Sequence, residues 1–457
     1  MALIVSISGI RGVVGDSFTP AVVVKHAAAF AEYCSHGKIV LGRDGRTSGK
    51  ILANIASSTL LAAGCDVVAL GICPTPTVQL AVEHFQAAGG IAITASHNPI
   101  DWNGMKFIGS HGMSLDASEN DRLWNIADQP NRIYARWDKT GAHSADDSFI
   151  PKHIELVLGL PYVKVEQIKK RRFTVVVDCI NAAGGRIVPA LLRRLGCSVI
   201  EMNCELSGIF SHNPEPLAEN LGTLCQRVHE EGADLGIAVD PDVDRLVLIT
   251  EKGEPFGEEY TIATATQFVL EKNTQTMNPK PKVVVNLSTT RAVDDIAKQF
   301  GAEVIRTPVG EINVTKKMKE VGALIGGEGS GGVILPAAHY GRDAMVAIGL
   351  IMQMLAEFEG TLSQLKASLP QYFIQKSKID TGTHNPEKML LEIQKRHASN
   401  GSATLDDGLR IDFQNSWIHL RKSNTEPMIR IIAEASTHSE AERLVKTFEK
   451  ELHEEAG

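Results

Sequence analysis

A loop that follows the short apolar run at residues 90–93 carries side chains that can do chemistry. It reads T-A-S-H-N-P over residues 94–99, and Lys106 follows ten residues after Ser96 with an amine. Loops after buried strands are where α/β proteins place reactive groups. Side chains of neighbours such as Ser96 and His97 point to opposite sides of an extended segment, and no G-x-S-x-G turn surrounds them. We therefore do not expect a hydrolase pair, and the hydroxyl needs another use.

Three aspartates, Asp240, Asp242 and Asp244, come directly after the apolar run at 233–239. Carboxylates this close repel one another unless a hard cation binds them, and all-oxygen ligation suits Mg²⁺ or Ca²⁺. An EF-hand is excluded because its sixth position, normally glycine, is Arg245, and another apolar run follows. The spacing predicts a divalent metal site, with a solvated acidic turn as the alternative.

A third candidate is the stretch R-K-S-N-T-E-P-M-I-R at residues 421–430. It places cations and small polar residues between two predicted strands. Backbone N–H groups, hydroxyls and guanidinium forks are what a phosphate dianion needs, although a surface hairpin would also be polar. We expect the phosphate contacts to be Arg421, Ser423, Asn424, Thr425 and Arg430.

Length and composition limit the function further. A chain of 457 residues exceeds one compact core and suggests about three or four domains. A net charge of -8 argues against nucleic acid or an anionic membrane as the main partner. Seven cysteines are scattered without C-x-x-C spacing, which favours reduced thiols. No apolar run reaches the ~18–20 residues that cross a bilayer, so we expect a cytoplasmic enzyme.

The elements that position these groups repeat along the chain. Segments beginning at Lys38, Arg172 and Lys282 each give a strand, a helical stretch, a second strand and a third strand. Their near-continuous apolar strands are typical of parallel sheets buried on both faces. Residues 408–413 and 416–421 alternate with period two, which predicts an antiparallel hairpin; residues 428–434 give another strand, and residues 438–453 read as a closing helix. We predict three similar doubly wound α/β domains with mixed sheets, followed by a carboxy-terminal α+β domain.

The predicted domains span residues 1–148, 149–253, 254–369 and 370–457. Proline, glycine and charge interrupt the apolar periodicity near 145–155, 253–257 and 369–381, which we interpret as linkers. The third strand of each repeat leads into an unusual loop, so three loops could face one cleft between domains.

Several of these motifs together resemble those of the α-D-phosphohexomutase superfamily, which isomerises sugar 1- and 6-phosphates. T-A-S-H-N-P followed by N-G-x-K looks like its phosphoserine loop, and the aspartate loop is similar to its D-G-D-x-D-R, with Pro241 in place of glycine. Residues 421–430 match R-x-S-N-T-E-P-x-x-R, and residues 8–12 match its amino-terminal pattern. The runs at 213–217 and 307–314 look most like the phosphoglucosamine mutase branch.

The resemblance implies roles for individual residues. Ser96 would carry a phosphoryl group, and one Mg²⁺ per chain would bind Asp240, Asp242, Asp244 and an oxygen of phosphorylated Ser96. Arg11 would orient the phosphoryl group, Lys106 would exchange a proton with the sugar, and His97 would assist or hold the loop. The remaining expected contacts are Arg245 with the phosphate or with Ser96, Arg43 and Arg46 as braces of the Ser96 loop, and Glu328 and Ser330 with sugar hydroxyls. Gly332 stands where the family has histidine.

The implied activity is a mutase that converts a sugar 6-phosphate to the 1-phosphate through a phosphoserine and a bisphosphate, with a hexose 1,6-bisphosphate as activator. We favour glucosamine phosphate as the substrate, with phosphoglucomutase or phosphomannomutase activity as the alternative. Two other classes stay open: a metal-dependent sugar phosphatase with an aspartate nucleophile, and a non-catalytic sugar-phosphate binder. A monomer or a homodimer is expected.

Overall fold

The described part of the chain folds into four units, each built around one β-sheet. The computed structural model describes residues 2–130, 132, 134–273, 280–382, 384–397, 401–422 and 428–456. Along the chain, the sheets contain seven, four, four and five strands. The first three lie among helices, and the last is wholly antiparallel.

The first unit has a mixed sheet in which four parallel strands continue into three antiparallel ones. Its order is β1-β2-β6-β5-β3-β4-β7. The strands are β1 Ile4–Ser6, β2 Gly9–Val13, β3 Ile39–Arg43, β4 Val67–Ile72, β5 Gly89–Ile93, β6 Trp102–Gly109 and β7 His143–Ala145. The helices are α1 Pro20–Tyr33, α2 Gly49–Ala62, α3 Thr75–His84 and α4 Ala117–Ala127.

The second and third units each have three parallel strands and one antiparallel strand. The second, with sheet order β11-β10-β8-β9, contains α5 Phe149–Leu158, α6 Val165–Arg171, β8 Thr174–Asp178, α7 Gly184–Arg194, β9 Ser198–Met202, a 3-10 helix Ala218–Asn220, α8 Gly222–Glu230, β10 Leu235–Val239 and β11 Leu246–Thr250. The third, with order β13-β12-β14-β15, contains α9 Glu258–Asn273, β12 Lys282–Asn286, α10 Ala292–Gln299, β13 Glu303–Thr307, α11 Glu311–Val321, β14 Ile325–Glu328, β15 Gly332–Ile334, α12 Ala344–Phe358 and α13 Leu362–Ser368.

The carboxy-terminal unit packs two helices on its antiparallel sheet, in the order β16-β20-β19-β18-β17. Its elements are β16 Phe373–Asp380, α14 Pro386–Arg396, β17 Ser402–Thr404, β18 Leu409–Asp412, β19 Trp417–Lys422, β20 Met428–Ala435 and α15 His438–Ala456. The predicted fold class is confirmed, including the hairpin of β18 and β19.

Two predicted linkers are wrong. Helix α5 begins at Phe149, inside the segment 145–155, and strand β16 occupies most of 369–381. Proline is tolerated at the start of a helix, and charged residues are common on edge strands. Both can therefore interrupt the apolar periodicity of the sequence inside a regular helix or strand. The four predicted domain boundaries stay predictions.

One continuous apolar core joins the first three units. It includes Val78 of the first unit, Val188 of the second and Met352 of the third, all buried. Helix α12, whose residues 344–356 are all buried, packs against α5, α6 and α9 and so forms the centre of this core. The carboxy-terminal unit has a separate core. Much of its attachment is polar, as in the 2.9 Å hydrogen bond from the Arg291 amide to Glu434, and such interfaces permit relative domain motion.

In the described part of the chain, no single helix is long and apolar enough to cross a bilayer. Helices α12 and α13 pass the length and composition test only when taken together, and they are bent by 90° relative to each other.

A buried polar cluster also ties the first three units together. The carboxylate of Asp343 accepts hydrogen bonds from His153 at 2.7 Å and His339 at 3.0 Å, and His153 in turn contacts Thr77 at 2.9 Å. Asp343 also caps α12 by accepting from the amide of Met345 at 2.8 Å. Burial by itself raises the pKa of Asp343, but the two histidines hold that pKa well below the ordinary aspartate value.

We predict that Asp343→Asn lowers the free energy of unfolding at pH 7 by about 1–3 kcal/mol, since buried charged hydrogen bonds become neutral ones. Because the folded-state pKa is depressed, this stabilisation is present above the unfolded pKa of ~3.9 and is lost as the pH falls further. Urea denaturation from pH 7.5 down to about pH 2 measures it, because the loss falls below the unfolded pKa. Exposed Asp147, paired with Arg186, is the control, and Asp147→Asn should change stability by less than about 0.5 kcal/mol. A gap for Asp343→Asn that is constant over this pH range would contradict the account.

Candidate active site

A cavity of about 430 Å³ lies where the four units meet. Its walls bring together residues that lie far apart in the chain, such as Ser96 and Arg430. Of the residues predicted from sequence, it is lined by Arg11, Ser96, His97, Lys106, Arg245, Glu328, Ser330, Arg421 and Arg430. The three aspartates lie directly behind this wall, in contact with Ser96 and Lys106.

Ser96 lies at the end of the strand β5 and adopts a left-handed backbone conformation, with φ of 50°. Such a conformation is uncommon for serine and is typical of functional loops that other contacts hold in place. Its Oγ donates a hydrogen bond to Oδ2 of Asp240 at 3.0 Å and lies 3.2 Å from Nδ1 of His97. The expectation that the Ser96 and His97 side chains diverge is therefore wrong, because the segment is not extended.

The imidazole of His97 is surrounded by positive charge. Arg245 lowers the pKa of His97 well below its ordinary value, and burial and Arg11 lower it further. His97 is thus neutral at neutral pH, and one ring nitrogen can accept a proton or a hydrogen bond.

Arg46 holds the Ser96 loop through its backbone. Its guanidinium donates to the carbonyl oxygens of Ser96, Asn98 and Pro99, each at 2.6 Å, and to that of Trp102 at 3.0 Å. Four backbone carbonyls of this tight turn thereby share one buried cation. The prediction that Arg46 braces this loop is confirmed.

Asp44 fixes the guanidinium in turn. Its carboxylate accepts from Arg46 Nε at 3.1 Å, from the Arg46 amide at 2.9 Å and from the Thr94 hydroxyl at 2.6 Å. Thr94 Oγ1 also accepts from the amide of Ser96 at 2.9 Å. Arg43, the other predicted brace, donates instead to the carbonyl oxygen of Asp44 at 3.1 Å.

The acidic loop follows β10, whose five residues are all buried. Ligand oxygens of Asp240, Asp242 and Asp244 lie within 4.8 Å of one another. Val243 between them has φ of 60°, a strained value for a β-branched residue. Burial and the two neighbouring carboxylates raise the pKa of Asp240 well above its ordinary value.

Two oxygens in this loop lack partners. Oδ1 of Asp242 and Oδ1 of Asp244 are buried and have no hydrogen-bond partner among the described residues. Buried polar atoms in native structures are normally paired, so an unpaired carboxylate oxygen indicates a missing ion or water. Three carboxylates at this spacing, two of which have an oxygen without a hydrogen-bond partner, fit a hard divalent cation.

Cations from two other units reach the same carboxylates. Nζ of Lys106 lies 2.6 Å from Asp242 and 3.2 Å from Asp244, and Nη2 of Arg342 lies 2.6 Å from Asp244. Burial by itself lowers the pKa of Lys106, but the two aspartates raise it above the ordinary lysine value. Burial likewise would raise the pKa of Asp244, which Arg342 and Lys106 instead hold far below its ordinary value.

Glu328 ends strand β14 and lines the cavity next to Arg342. Its Oε1 accepts from Nδ2 of Asn286 at 2.8 Å and from the amide of Gly310 at 3.0 Å, and its Oε2 accepts from Arg342. Burial by itself raises the pKa of Glu328, but Arg342 and these hydrogen bonds bring that pKa below the ordinary glutamate value. The carboxylate is therefore ionised and held at the cavity surface.

The carboxy-terminal unit contributes a row of cations. Arg421 of β19 lies directly opposite Arg430 of β20, which lies opposite Lys378 of β16. Like charges in such cross-strand pairs are destabilising unless an anion joins them, so the row fits a phosphate group. Arg421 also pairs with Asp407 at 2.8 Å. The predicted contacts at 423–425 lie outside the described residues.

Comparison with known proteins agrees with this geometry. The four domain models of phosphoglucomutase/phosphomannomutase match residues 3–132, 151–253, 257–373 and 383–451: the α/β/α domains I, II and III and the C-terminal domain. The chain belongs to the phosphoglucomutase/phosphomannomutase family. It is therefore a phosphohexomutase, a phosphotransferase of the isomerase class, and the predicted resemblance is confirmed.

Individual relatives cover the whole length of this phosphohexomutase. A phosphoglucomutase/phosphomannomutase of Thermococcus kodakarensis is 37% identical over 98% of this chain and 97% of its own. A protein of Methanopyrus kandleri named "probable phosphoglucosamine mutase" is 35% identical over 96% of each. A crystal structure of a phosphoglucomutase/phosphomannomutase family protein from Burkholderia thailandensis superposes with a TM-score of 0.85 at 26% identity, covering 98% of both chains.

Several cavity residues of the phosphohexomutase were missed in the sequence. Arg342 stands alone in Y-G-R-D, with no repeat or motif around it to indicate that it reaches two other loops. Glu215 and Glu311 had a signal, since they lie in the runs at 213–217 and 307–314 that resemble the phosphoglucosamine mutase branch. Further polar residues of the wall are Glu259, Asn286, Ser288 and Lys376.

We predict that Arg46→Lys lowers the kcat of the mutase by at least about tenfold, because a single ammonium cannot replace four guanidinium hydrogen bonds and the Ser96 loop then loses its alignment. A coupled assay measures this. The matched control is Arg43→Lys, which alters one contact to a backbone carbonyl and should change kcat by less than about threefold. Equal kcat values for wild type and Arg46→Lys would show that the brace has no role in catalysis.

Proposed function

We propose that this phosphohexomutase interconverts a sugar 6-phosphate and a sugar 1-phosphate by a phosphoryl relay through Ser96. The observation that carries the proposal is the 3.0 Å contact between Ser96 Oγ and Asp240 in the cavity that also reaches Arg421 and Arg430. A nucleophilic oxygen beside an acidic loop, opposite a cationic row, is what a substrate with a reacting and a resting phosphate requires.

In the relay, a free sugar hydroxyl attacks the phosphorus of phosphorylated Ser96. The bond from phosphorus to Ser96 Oγ breaks, a new bond to the sugar oxygen forms, and the sugar proton passes to the neutral imidazole of His97, while the ammonium group of Lys106 would stabilise the transferring phosphoryl group. The resulting bisphosphate turns over in the cavity and presents its other phosphate to Ser96. That phosphorus then bonds to Ser96 Oγ, and the departing sugar oxygen takes the proton back from His97.

The acidic loop supplies the metal site in this proposal. Asp240, Asp242 and Asp244 would hold one Mg²⁺, with an oxygen of phosphorylated Ser96 as a further ligand. A bound Mg²⁺ neutralises charge on the equatorial oxygens of the transferring group. The unpaired oxygens of Asp242 and Asp244 support this assignment.

Cationic and neutral side chains orient the transferring group. Arg11, which donates to Asn98 Oδ1 at 2.9 Å, and Arg245 would face the phosphoryl oxygens. His97, at 3.2 Å from the serine oxygen, would hold the Ser96 hydroxyl when it is not phosphorylated.

The opposite wall would bind the rest of the substrate. Glu328 and Ser330 would accept and donate hydrogen bonds to ring hydroxyls, and Arg421 and Arg430 would hold the resting phosphate. The proposed contacts from Ser423, Asn424 and Thr425 complete this phosphate site. A hexose 1,6-bisphosphate would act as activator because it can phosphorylate Ser96 directly.

Glucosamine phosphate is the substrate that we favour. The cavity carries the carboxyl group of Glu215 and the ionised carboxylate of Glu328, which suit a substrate with an ammonium group at carbon 2. A relative named "probable phosphoglucosamine mutase" supports this choice, and the Thermococcus kodakarensis relative supports glucose or mannose phosphate as the alternative. Coupled assays with the three sugar phosphates, each with its matching 1,6-bisphosphate, decide between them. A lower kcat/KM for glucosamine phosphate than for both others would reject it.

We predict that Ser96→Ala abolishes mutase activity and leaves the chain without a covalently bound phosphoryl group. Intact-protein mass should show wild type with a partial addition of ~80 Da that disappears on phosphatase treatment, since one phosphoryl group is bound to one serine. The variant should show no such species. Ser57→Ala removes a buried hydroxyl of α2 instead and is the control that keeps activity.

The same variant separates the alternative functions. A phosphatase that uses an aspartate of the acidic loop as nucleophile would retain activity after Ser96→Ala, and its wild type would carry no stable phosphoserine. Either result would reject the relay.

We predict that Mg²⁺ added to chelator-treated protein raises the unfolding temperature, because a ligand at 100 times its Kd stabilises the native state by about 2.7 kcal/mol. Asp242→Asn should remove most of this rise, since it deletes one charged ligand. Asp412→Asn, in the carboxy-terminal unit, is the control and should keep it. An identical rise in the Asp242 variant and wild type would show that the cation binds elsewhere.

A further inference from the structure

Gly332 leaves no room for a side chain. It begins strand β15 and pairs in register with Glu328 of β14. A Cβ atom at residue 332 would lie 2.4 Å from Cδ of Arg342 and 3.0 Å from its Cγ. Those atoms lie in the middle of the arginine side chain, so it could not yield without its guanidinium moving too. The space beside Gly332 is thus filled by Arg342.

Arg342 uses that space to join two loops. Its Nη1 donates to Oε2 of Glu328, and its Nη2 donates to Oδ2 of Asp244 at 2.6 Å. The side chain is only 10% exposed and also lies 3.7 Å from Glu311. One buried guanidinium therefore connects the predicted sugar-binding carboxylate with the acidic loop.

The backbone that follows Arg342 is anchored to two other segments. The amide of Asp343 donates to the carbonyl of Val333 at 2.9 Å, and the amide of Ala344 donates to the carbonyl of Val243 at 3.2 Å. Val243 belongs to the acidic loop, and Asp343 belongs to the histidine cluster described above. These hydrogen bonds fix the position of the backbone next to Arg342, and they thereby restrict where its two terminal nitrogens can lie.

We propose that Arg342 is the positioning residue that aims Glu328 at the sugar hydroxyls and couples it to Asp244, and that Gly332 is glycine so that Arg342 fits. In the family pattern a histidine occupies position 332. Arg342 supplies from another element the cation that this histidine would bring, and its planar fork can contact two carboxylates at once. This inference rests on the proposed role of Glu328 in sugar binding.

A double-mutant cycle tests the coupling. Arg342→Ala and Gly332→Ala should each raise the KM for the sugar phosphate by about tenfold or more, since both remove the charged partner of Glu328. The double variant Gly332→Ala/Arg342→Ala should be no worse than Arg342→Ala alone. Gly332→His/Arg342→Ala should recover at least part of the loss. The proposal would be overturned if the KM effects of Arg342→Ala and Gly332→Ala were additive in the double variant, or if Gly332→His/Arg342→Ala recovered none of the loss.

A binding measurement without turnover complements the cycle. In a Ser96→Ala background with chelator present, calorimetry should show weaker binding of glucose 1-phosphate after Arg342→Ala and after Arg342→Lys. The matched control is Arg171→Ala, which removes hydrogen bonds to carbonyls of Leu355 and Ala356, away from the cavity, and should leave binding unchanged. Unchanged binding in the Arg342 variants would also overturn the proposal. Failure of the relay itself would appear separately, as activity that survives Ser96→Ala.

Discussion

The structure depends on the repulsion between three buried carboxylates at the end of β10. At the 4.8 Å separation that encloses their oxygens, each charged pair costs roughly 3–4 kcal/mol at an effective dielectric constant of 20. Three such pairs approach the whole stability of a typical domain, about 5–15 kcal/mol. Asp240, Asp242 and Asp244 can therefore all be ionised at the same time only if cations are brought to them, and burial together with this repulsion raises the pKa of Asp240. The strained Val243 shows that the backbone is also held against its preference in order to present them.

Those cations come from different parts of the chain, which explains the architecture. Lys106 comes from the first unit, Arg245 from the second and Arg342 from the third, and the shared apolar core keeps these units in a fixed arrangement. The carboxy-terminal unit, with its own core, contributes the paired Arg421 and Arg430 to the cavity wall. A rigid acidic centre and a separately folded unit with paired arginines suit the proposed relay, in which the bisphosphate turns over between two transfers.

Sequence predicted the fold class and nine of the residues that line the cavity, because apolar strands followed by unusual loops are local patterns. It did not predict the backbone conformation of Ser96, since a positive φ at a serine depends on the distant Arg46 that binds the loop carbonyls. Arg342 was missed for the same reason: its importance follows from long-range contacts with Glu328 and Asp244. The linker interpretation failed at α5, where the proline inside the segment is compatible with the first turn of a helix.

The most direct test of the central claim is transfer of labelled phosphate from a hexose 1,6-bisphosphate to the dephosphorylated protein, followed by proteolysis and peptide mapping. The account predicts acid-stable label on the peptide that contains Ser96, and its loss when unlabelled sugar monophosphate is added. Label on the peptide that contains Asp240, Asp242 and Asp244, in the base-labile form of an acyl phosphate, would contradict it.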